Sequence, residues 1–266
     1  MLAKQRHGLI LEEVRRSGGV RVSDLTQLLS VSEVTVRRDL EALARQGLLD
    51  KVHGGATRTG IGATEEPGFD AKVGRQPGEK EAIARRAAAT VQPGSAIAIS
   101  AGTTTHVLAR QLAEVPGLTV VTNSMRTAQA LGAGDRADRT VIVTGGIRTP
   151  SDALVGPVAL AAIRSLNFDV VFMGVHGMAE WTGFSTPNLM ESEVNRALIA
   201  AARSCVVLAD HTKWGTVGLS SVAALDEADV LITDSGLPDD ARAVLAESVE
   251  ELIVVSSTVA PAGMGR

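Results

Sequence analysis

Apolar positions along the chain follow two different periods, one in each part. Over residues 3–16, Leu9, Ile10 and Val14 recur at helical spacing and predict a helix that Ser17, Gly18 and Gly19 end. A brief extended piece, Val20 to Val22, leads to a short helix with Ser23 as its cap and Leu25, Leu28 and Leu29 as its apolar side. Ser30 and Val31 turn the chain. Ser32 is a second N-cap, and Glu33 sits in the first turn, where a carboxylate suits the helix dipole. That helix runs to about Gln46 through Val36, Leu40 and Leu43, and Gly47 stops it. The stretch LLDKVHGGATRTG then alternates apolar and polar residues about a Gly-Gly pair, as a small hairpin does.

Residues 59–79 carry five glycines and two prolines without periodicity, and read as a linker or docking arm. From Lys80 the pattern changes. Short continuous apolar runs (SAIAIS, LTVVT, TVIVT, DVVFMG, CVVLA, VLITD, ELIVV) alternate with helical stretches, which start at about Thr104, Met125 and Ala153 among others. Runs of β-branched residues spaced this way are parallel strands buried on both faces. The expected fold is α/β: a small N-terminal helix-turn-helix domain over residues 1–58, a linker over 59–79, and a mostly parallel sheet with helices on both faces over 80–266.

Composition narrows the chemistry. The chain has 266 residues, enough for two domains, and 45% are apolar. Aromatics are only 2%, with no Tyr, so the cores are aliphatic and aromatic stacking on nucleic-acid bases is not expected. Cys205 is the single cysteine, which excludes an internal disulfide or a cysteine-based metal site; its apolar run reads as core. Nothing approaches the roughly 18 apolar residues of a membrane span, and no signal peptide is apparent, so a soluble, cytoplasmic protein is expected. The net charge of −4 divides unevenly. Residues 1–60 hold ten Lys/Arg and seven Asp/Glu, a balance of +3, and the remainder carries −7.

Two short helices, the second capped by Ser and basic one turn in, form a helix-turn-helix. Val31, Val36 and Leu40 must pack inward, which leaves Ser32, Glu33, Thr35, Arg37 and Arg38 to face a major groove. A guanidinium forks onto guanine or grips phosphates. Lys51, His53 and Arg58 in the hairpin suit a wing that touches the DNA backbone. A three-helix interaction domain with solvated arginines is the other reading.

In the second part, each strand ends in small or polar residues, at the side of an open parallel sheet where ligands bind. AGTTT is the sharpest: Gly102 admits a close approach, and Thr103, Thr104 and Thr105 bring hydroxyls and amides to a helix N-terminus, an arrangement that suits phosphate. Helix capping without a ligand is the alternative. Lys213 can neutralise a phosphate or pair with Asp210. His176 can face a ligand or fill a turn, Lys80 can be a ligand group or a surface charge, and Gly145 and Gly146 allow close approach or a tight turn. There is no Walker motif and no GxGxxG, so no nucleotide cofactor is expected.

The run RVSDLTQLLSVSEVTVRRDLEALARQGLLDKVHGGA closely resembles the N-terminal signature of DeoR-type bacterial transcription regulators. The resemblance implies a winged helix-turn-helix that binds double-stranded operator DNA, usually as a repressor, with Ser32, Thr35, Arg37 and Arg38 on the recognition helix. Residues 80–235 resemble the sensor half of the same family, similar in fold to ribose-5-phosphate isomerase, glucosamine-6-phosphate deaminase and CoA transferases. That half is implied to bind a phosphorylated sugar or related metabolite through Gly102, Thr103, Thr104 and Thr105, Asn123 and Ser124, Gly145 and Gly146, and Lys213. Ser100 stands where many members have Asp, which removes a strong acceptor for sugar hydroxyls. A rival reading, a sugar-phosphate isomerase or deaminase, needs a positioned acid/base pair, and the loop GVHGMAEW offers only His176 and Glu180. A single recognition helix touches few bases, so a homodimer or homotetramer on repeated half-sites is expected.

Overall fold

Ile10 and Val14 turn the apolar stripe of α1 (Ala3–Ser17) onto α2 (Val22–Leu29) and α3 (Glu33–Arg45), where Leu25, Leu29, Val36, Leu40 and Leu43 complete one buried core. The computed structural model describes residues 2–17, 19–52, 54–57, 63, 64, 66, 68–132 and 136–257, the side chains of 15–17 excepted. Three short antiparallel strands close the domain: β1 (Gly19–Arg21), β2 (Asp50–Val52) and β3 (Gly55–Thr57), in the order β1-β3-β2. A Cβ on Gly55 would stand 2.0 Å from the Val20 carbonyl oxygen, so glycine is what lets β3 close on β1. Ser32 caps α3, its hydroxyl accepting from the Thr35 amide at 3.3 Å. Ser23 does not cap α2. The helix starts at buried Val22, and the Ser23 hydroxyl donates to Asp24 instead.

The second part comprises α4 (Phe69–Val73), α5 (Pro77–Ala88), β4 (Ala96–Ile99), α6 (Thr103–Gln111), β5 (Thr119–Thr122), α7 (Met125–Gly132), β6 (Thr140–Val143), β7 (Ile147–Arg148), β8 (Leu154–Val155), α8 (Pro157–Ile163), β9 (Val170–Gly174), β10 (Gly177–Ala179), β11 (Gly183–Thr186), α9 (Leu189–Ala200), β12 (Cys205–Leu208), β13 (Ser220–Ala223), β14 (Val230–Asp234), α10 (Asp239–Ser248) and β15 (Glu251–Val255). Seven strands form one parallel sheet, ordered β15-β14-β12-β9-β4-β5-β6. Alternate residues feed opposite cores: Ala98, Val171, Met173 and Val207 on one face, Ile97, Ile99, Phe172, Val206 and Leu208 on the other. Both faces are covered, which is why the strands read as unbroken apolar runs.

Three expectations need correction. The helix placed at about Ala153 starts at Pro157, the first-turn position where proline fits; before it the chain makes the β7–β8 hairpin. The small antiparallel sheet β10-β11-β13 takes in the loop GVHGMAEW and parts of the stretches read as helical on either side of CVVLA; between β12 and β14 the chain forms β13 and short turns instead of a helix. The segment 59–79 is not featureless either. Phe69 is buried on α4, and α5 begins before Lys80.

The order of the large sheet decides where a ligand can sit. From β4 the chain winds outward through β5 and β6, then returns to β9 on the other side of β4 and winds away through β12, β14 and β15. The carboxyl ends of β4 and β9 therefore diverge into loops that leave in opposite directions, and a crevice opens between them.

Candidate operator-reading face and effector pocket

On α3 the inward residues are Val36, Asp39, Leu40 and Leu43. Ser32, Glu33, Arg37 and Arg38 are exposed and Thr35 is half-buried, so the expected reading face does point outward. Arg37 reaches back to Glu33 at 3.4 Å across one turn, an exposed pair of little strength. Val34, 62% exposed beside them, is an apolar group that residue-type reasoning passed over. Asp39 is buried, and its carboxylate takes Arg6 Nε at 2.7 Å and His7 Nε2 at 3.0 Å. It ties α3 to α1 and faces away from DNA. On the wing, Lys51 pairs with Glu41 at 2.8 Å, so a backbone contact there competes with an exposed ion pair. His53 and Arg58 lie outside the described residues.

The crevice between β4 and β9 holds a narrow recess of about 50 Å³. Gly102, Thr103 and Thr104 line it at the start of α6, with Gly174, Val175 and His176 at the end of β9 and Lys213 on the turn after β12. Of the residues expected to bind effector, these bring together Gly102, Thr103, Thr104, His176 and Lys213. Among the described residues no carboxylate pairs with Lys213. Asp210 instead caps the turn, accepting from the Thr212 amide at 3.1 Å.

The other expected site residues do not line the recess; most of them build it. The Ser100 hydroxyl accepts from the Gly174 amide at 2.9 Å, clamping the ends of β4 and β9 together. Thr105 is buried and donates to the Gly102 carbonyl at 3.1 Å. The Asn123 side chain accepts from the Ala101 amide at 2.8 Å and donates to the Leu154 carbonyl at 3.3 Å. Ser124 accepts from the Thr127 amide at 3.2 Å, in the first turn of α7. Gly145 and Gly146 have positive φ, and a Cβ on Gly146 would stand 2.5 Å from the Val155 carbonyl oxygen; the close approach that Gly146 permits is to β8. Lys80 is buried, and its ammonium donates to the Lys72 carbonyl at 2.7 Å. Burial pushes it down to about 8, a shift that Asp210 opposes and Lys213 reinforces.

Several lining groups had no sequence signal. Glu191 and Asn195 stand one turn apart on α9, Ser151 lies in the β7–β8 turn, Ser185 and Thr186 end β11, and Glu66 and Lys72 come from the segment before and within α4. Burial pushes the Glu191 carboxyl up, Lys72 opposing; it accepts from Thr186 Oγ1 at 3.3 Å and Ser151 Oγ at 3.4 Å. Burial lowers His176 to about 4, and the charges of Lys213 and Lys72 lower it further. Burial also lowers Lys72. Two buried polar atoms in this wall have no hydrogen bond: His176 Nε2 and Asn195 Oδ1. The lining thus mixes cations and N–H donors with carboxylate and carbonyl acceptors, and Lys72 and Glu191 are each other's strongest charged neighbours.

Both halves match family models. Residues 6–60 match the DeoR-like helix-turn-helix domain, and residues 75–235, more than half of the chain, match the DeoR C-terminal sensor domain. The chain belongs to the DeoR family of transcription regulators. It is 37% identical over 260 residues (97% of this chain, 100% of the relative) to the uncharacterized HTH-type transcriptional regulator YgbI of Escherichia coli K12. It is 36% identical over 244 residues (91% and 94%) to the HTH-type transcriptional regulator GlpR of Haloferax volcanii. It is 31% identical over 248 residues (93% and 97%) to the glycerol-3-phosphate regulon repressor of Escherichia coli K12. The solved ribose 5-phosphate isomerase A of Methanocaldococcus jannaschii overlaps 50% of this chain and 52% of that one, at 16% identity and a TM-score of 0.37. The relatives that span nearly the whole chain are regulators and repressors. This DeoR-family protein is a DNA-binding transcription regulator, not an isomerase or deaminase, and among its described residues no helix is long and apolar enough to cross a membrane.

Proposed function

We propose that this regulator represses genes of carbohydrate metabolism, that Arg37 and Arg38 of α3 read its operator, and that a phosphorylated sugar or polyol in the recess adjusts operator affinity. The observation that carries the effector reading is the mixed polar lining of the pocket. Lys72, Lys213 and His176 line it with the N-terminus of α6, and so do Glu191 and Asn195, whose buried Oδ1 has no partner among the described residues. A phosphate satisfies the amide N–H groups and cations. Ligand hydroxyls satisfy the acceptors, because a buried acceptor without a donor is costly. The name of one relative, the glycerol-3-phosphate regulon repressor, points to the same chemistry.

The reading includes a homo-oligomer. One recognition helix contacts too few base pairs to select a genomic site, and two related copies place two helices on half-sites one helical turn or a multiple apart. A coupling of about 1–3 kcal/mol between effector and operator changes occupancy severalfold.

The test is a melting-temperature screen of sugar and polyol phosphates beside their dephosphorylated parents. At about 100 times its dissociation constant, an effector stabilises the protein by about 2.7 kcal/mol. Stabilisation by phosphorylated compounds alone supports the reading. Stabilisation by the parents to the same extent, or by neither, refutes it.

A further inference from the structure

The segment that joins the reading head to the sensor does more than tether it. Ala63 accepts at its carbonyl from the Leu219 amide at 2.8 Å. Glu66 accepts from the Ser151 amide at 3.2 Å and the Asn188 side chain at 2.9 Å. Phe69 is buried with the Arg126 guanidinium 4.5 Å above its ring, and Arg126 pairs with Asp70 at 3.1 Å. These contacts tie the described residues of the segment to the sensor, and Glu66 and Lys72 join the lining of the recess. Lys72 has no salt bridge among the described residues, and its carbonyl is the group that buried Lys80 holds at 2.7 Å.

We propose that this connector is part of the effector site: Lys72 binds the anionic group of the effector, and Lys80 is a positioning residue that holds Lys72 there. The inference rests on the anion-site reading above and adds to it a route for the signal. An anion held jointly by Lys72 on the connector and by Lys213 and the α6 amides on the sheet rim fastens the connector to the sensor. The connector follows the β3 wing in sequence, so filling the site restricts the part of the tether that lies on the sensor. The burial of Lys80 has its reason here, since a carbonyl on the connector is a partner that no surface ammonium needs. Lys213 acts on Lys72 with like charge and Glu191 and Glu66 with opposite charge, so an anion bound here competes with those two carboxylates for Lys72.

The experiment uses the full chain with inorganic phosphate as probe. Phosphate affinity is measured by calorimetry, and amide hydrogen exchange is followed in the peptides covering residues 63–75. In the wild type, phosphate slows exchange there. Lys72→Met binds phosphate about tenfold or more weakly, as loss of a charged hydrogen bond implies, and shows no protection of the connector. Lys72→Arg retains both. Lys80→Met raises exchange of the connector without phosphate and weakens binding severalfold, although Lys72 is intact. Normal affinity and normal protection in Lys72→Met overturn the proposal. If Lys213→Met abolishes binding while Lys72→Met does not, the anion site stands and the connector's part in it falls. If the wild type binds no phosphate at all, both fall.

Discussion

Arg21, at the N-terminus of α2 in the reading head, donates from Nη2 to the backbone carbonyl of Trp181 in the sensor at 2.9 Å, with its guanidinium 5.6 Å from the centre of the indole ring. Trp181 is at the tip of the β10–β11 hairpin, and His176 and Thr186, at the root of that hairpin, line the recess. A Cβ on Gly19 would stand 2.4 Å from Trp181 Nε1, so glycine allows the two domains to seat this closely. An exposed cation over an aromatic ring contributes about 0.5–1 kcal/mol. That is one part of the seat of the head, since α1 also packs against α10. Trp181→Ala is expected to speed amide exchange at residues 19–21 several-fold and to leave that of β4 and β9 unchanged; unchanged exchange at 19–21 means the contact does not hold the head.

Within the head, Asp39 binds Arg6 and His7 of α1 from α3. Burial raises the Asp39 carboxyl, but the hydrogen bonds from Arg6 and His7 outweigh it and hold the group below its usual range. A folded-state pKa below the unfolded one stabilises above the unfolded value, and that contribution fades as pH falls through the folded value. Asp39→Asn should therefore destabilise the head by about 1–3 kcal/mol at neutral pH, and the difference from wild type should shrink below pH 4. Denaturant melts at pH 7 and pH 3 check this; a pH-independent difference removes the charge from the explanation.

Arg37→Ala and Arg38→Ala separate base reading from backbone grip. An arginine on a guanine costs about 1–3 kcal/mol and relaxes selectivity at one position, whereas one on phosphate weakens all sequences alike and lowers the salt slope by about one. Titrations of specific and scrambled duplexes at several salt concentrations tell the two apart. Wild-type binding by both variants would remove them from the interface.

His176 is expected to make anion binding depend on pH. Its folded value of about 4 against 6.5 in water means that the unfolded chain takes up the proton first, so stability declines as pH falls from about 6.5 towards 4. An anion beside the ring favours the protonated form and raises its pKa, so binding takes up a proton in that window. Lys213, Lys72 and Glu66 are the charges that act on the ring. With sulfate, whose own charge is constant there, affinity should rise on acidification in the wild type and much less in His176→Gln. Parallel pH profiles for the two proteins would place His176 outside the anion's reach.

Periodicity placed the reading head and the parallel strands because burial on a helix face or in a two-faced sheet leaves a repeating mark on the chain. The rim of the sheet was read less well, for a physical reason. Polar residues at strand ends do two jobs that look alike in sequence: Thr103 and Lys213 face the recess, while Ser100 and Asn123 spend their hydrogen bonds holding the neighbouring loops. Glu191 resembles an ordinary first-turn acid after the Asn188 cap, and only the tertiary fold turns it and Asn195 into the pocket. Lys72 sits in a stretch whose glycines and prolines hide a helix of five residues.

The most direct test of the coupling between operator and recess is the anisotropy of a labelled duplex carrying this chain's own promoter, titrated with purified protein at low and moderate salt, with and without a sugar phosphate that raises its melting temperature. Expected is salt-sensitive, sequence-selective binding whose affinity shifts by roughly 5- to 150-fold when the phosphate is added. Selective binding that no such phosphate alters, or no binding at low ionic strength, would contradict it.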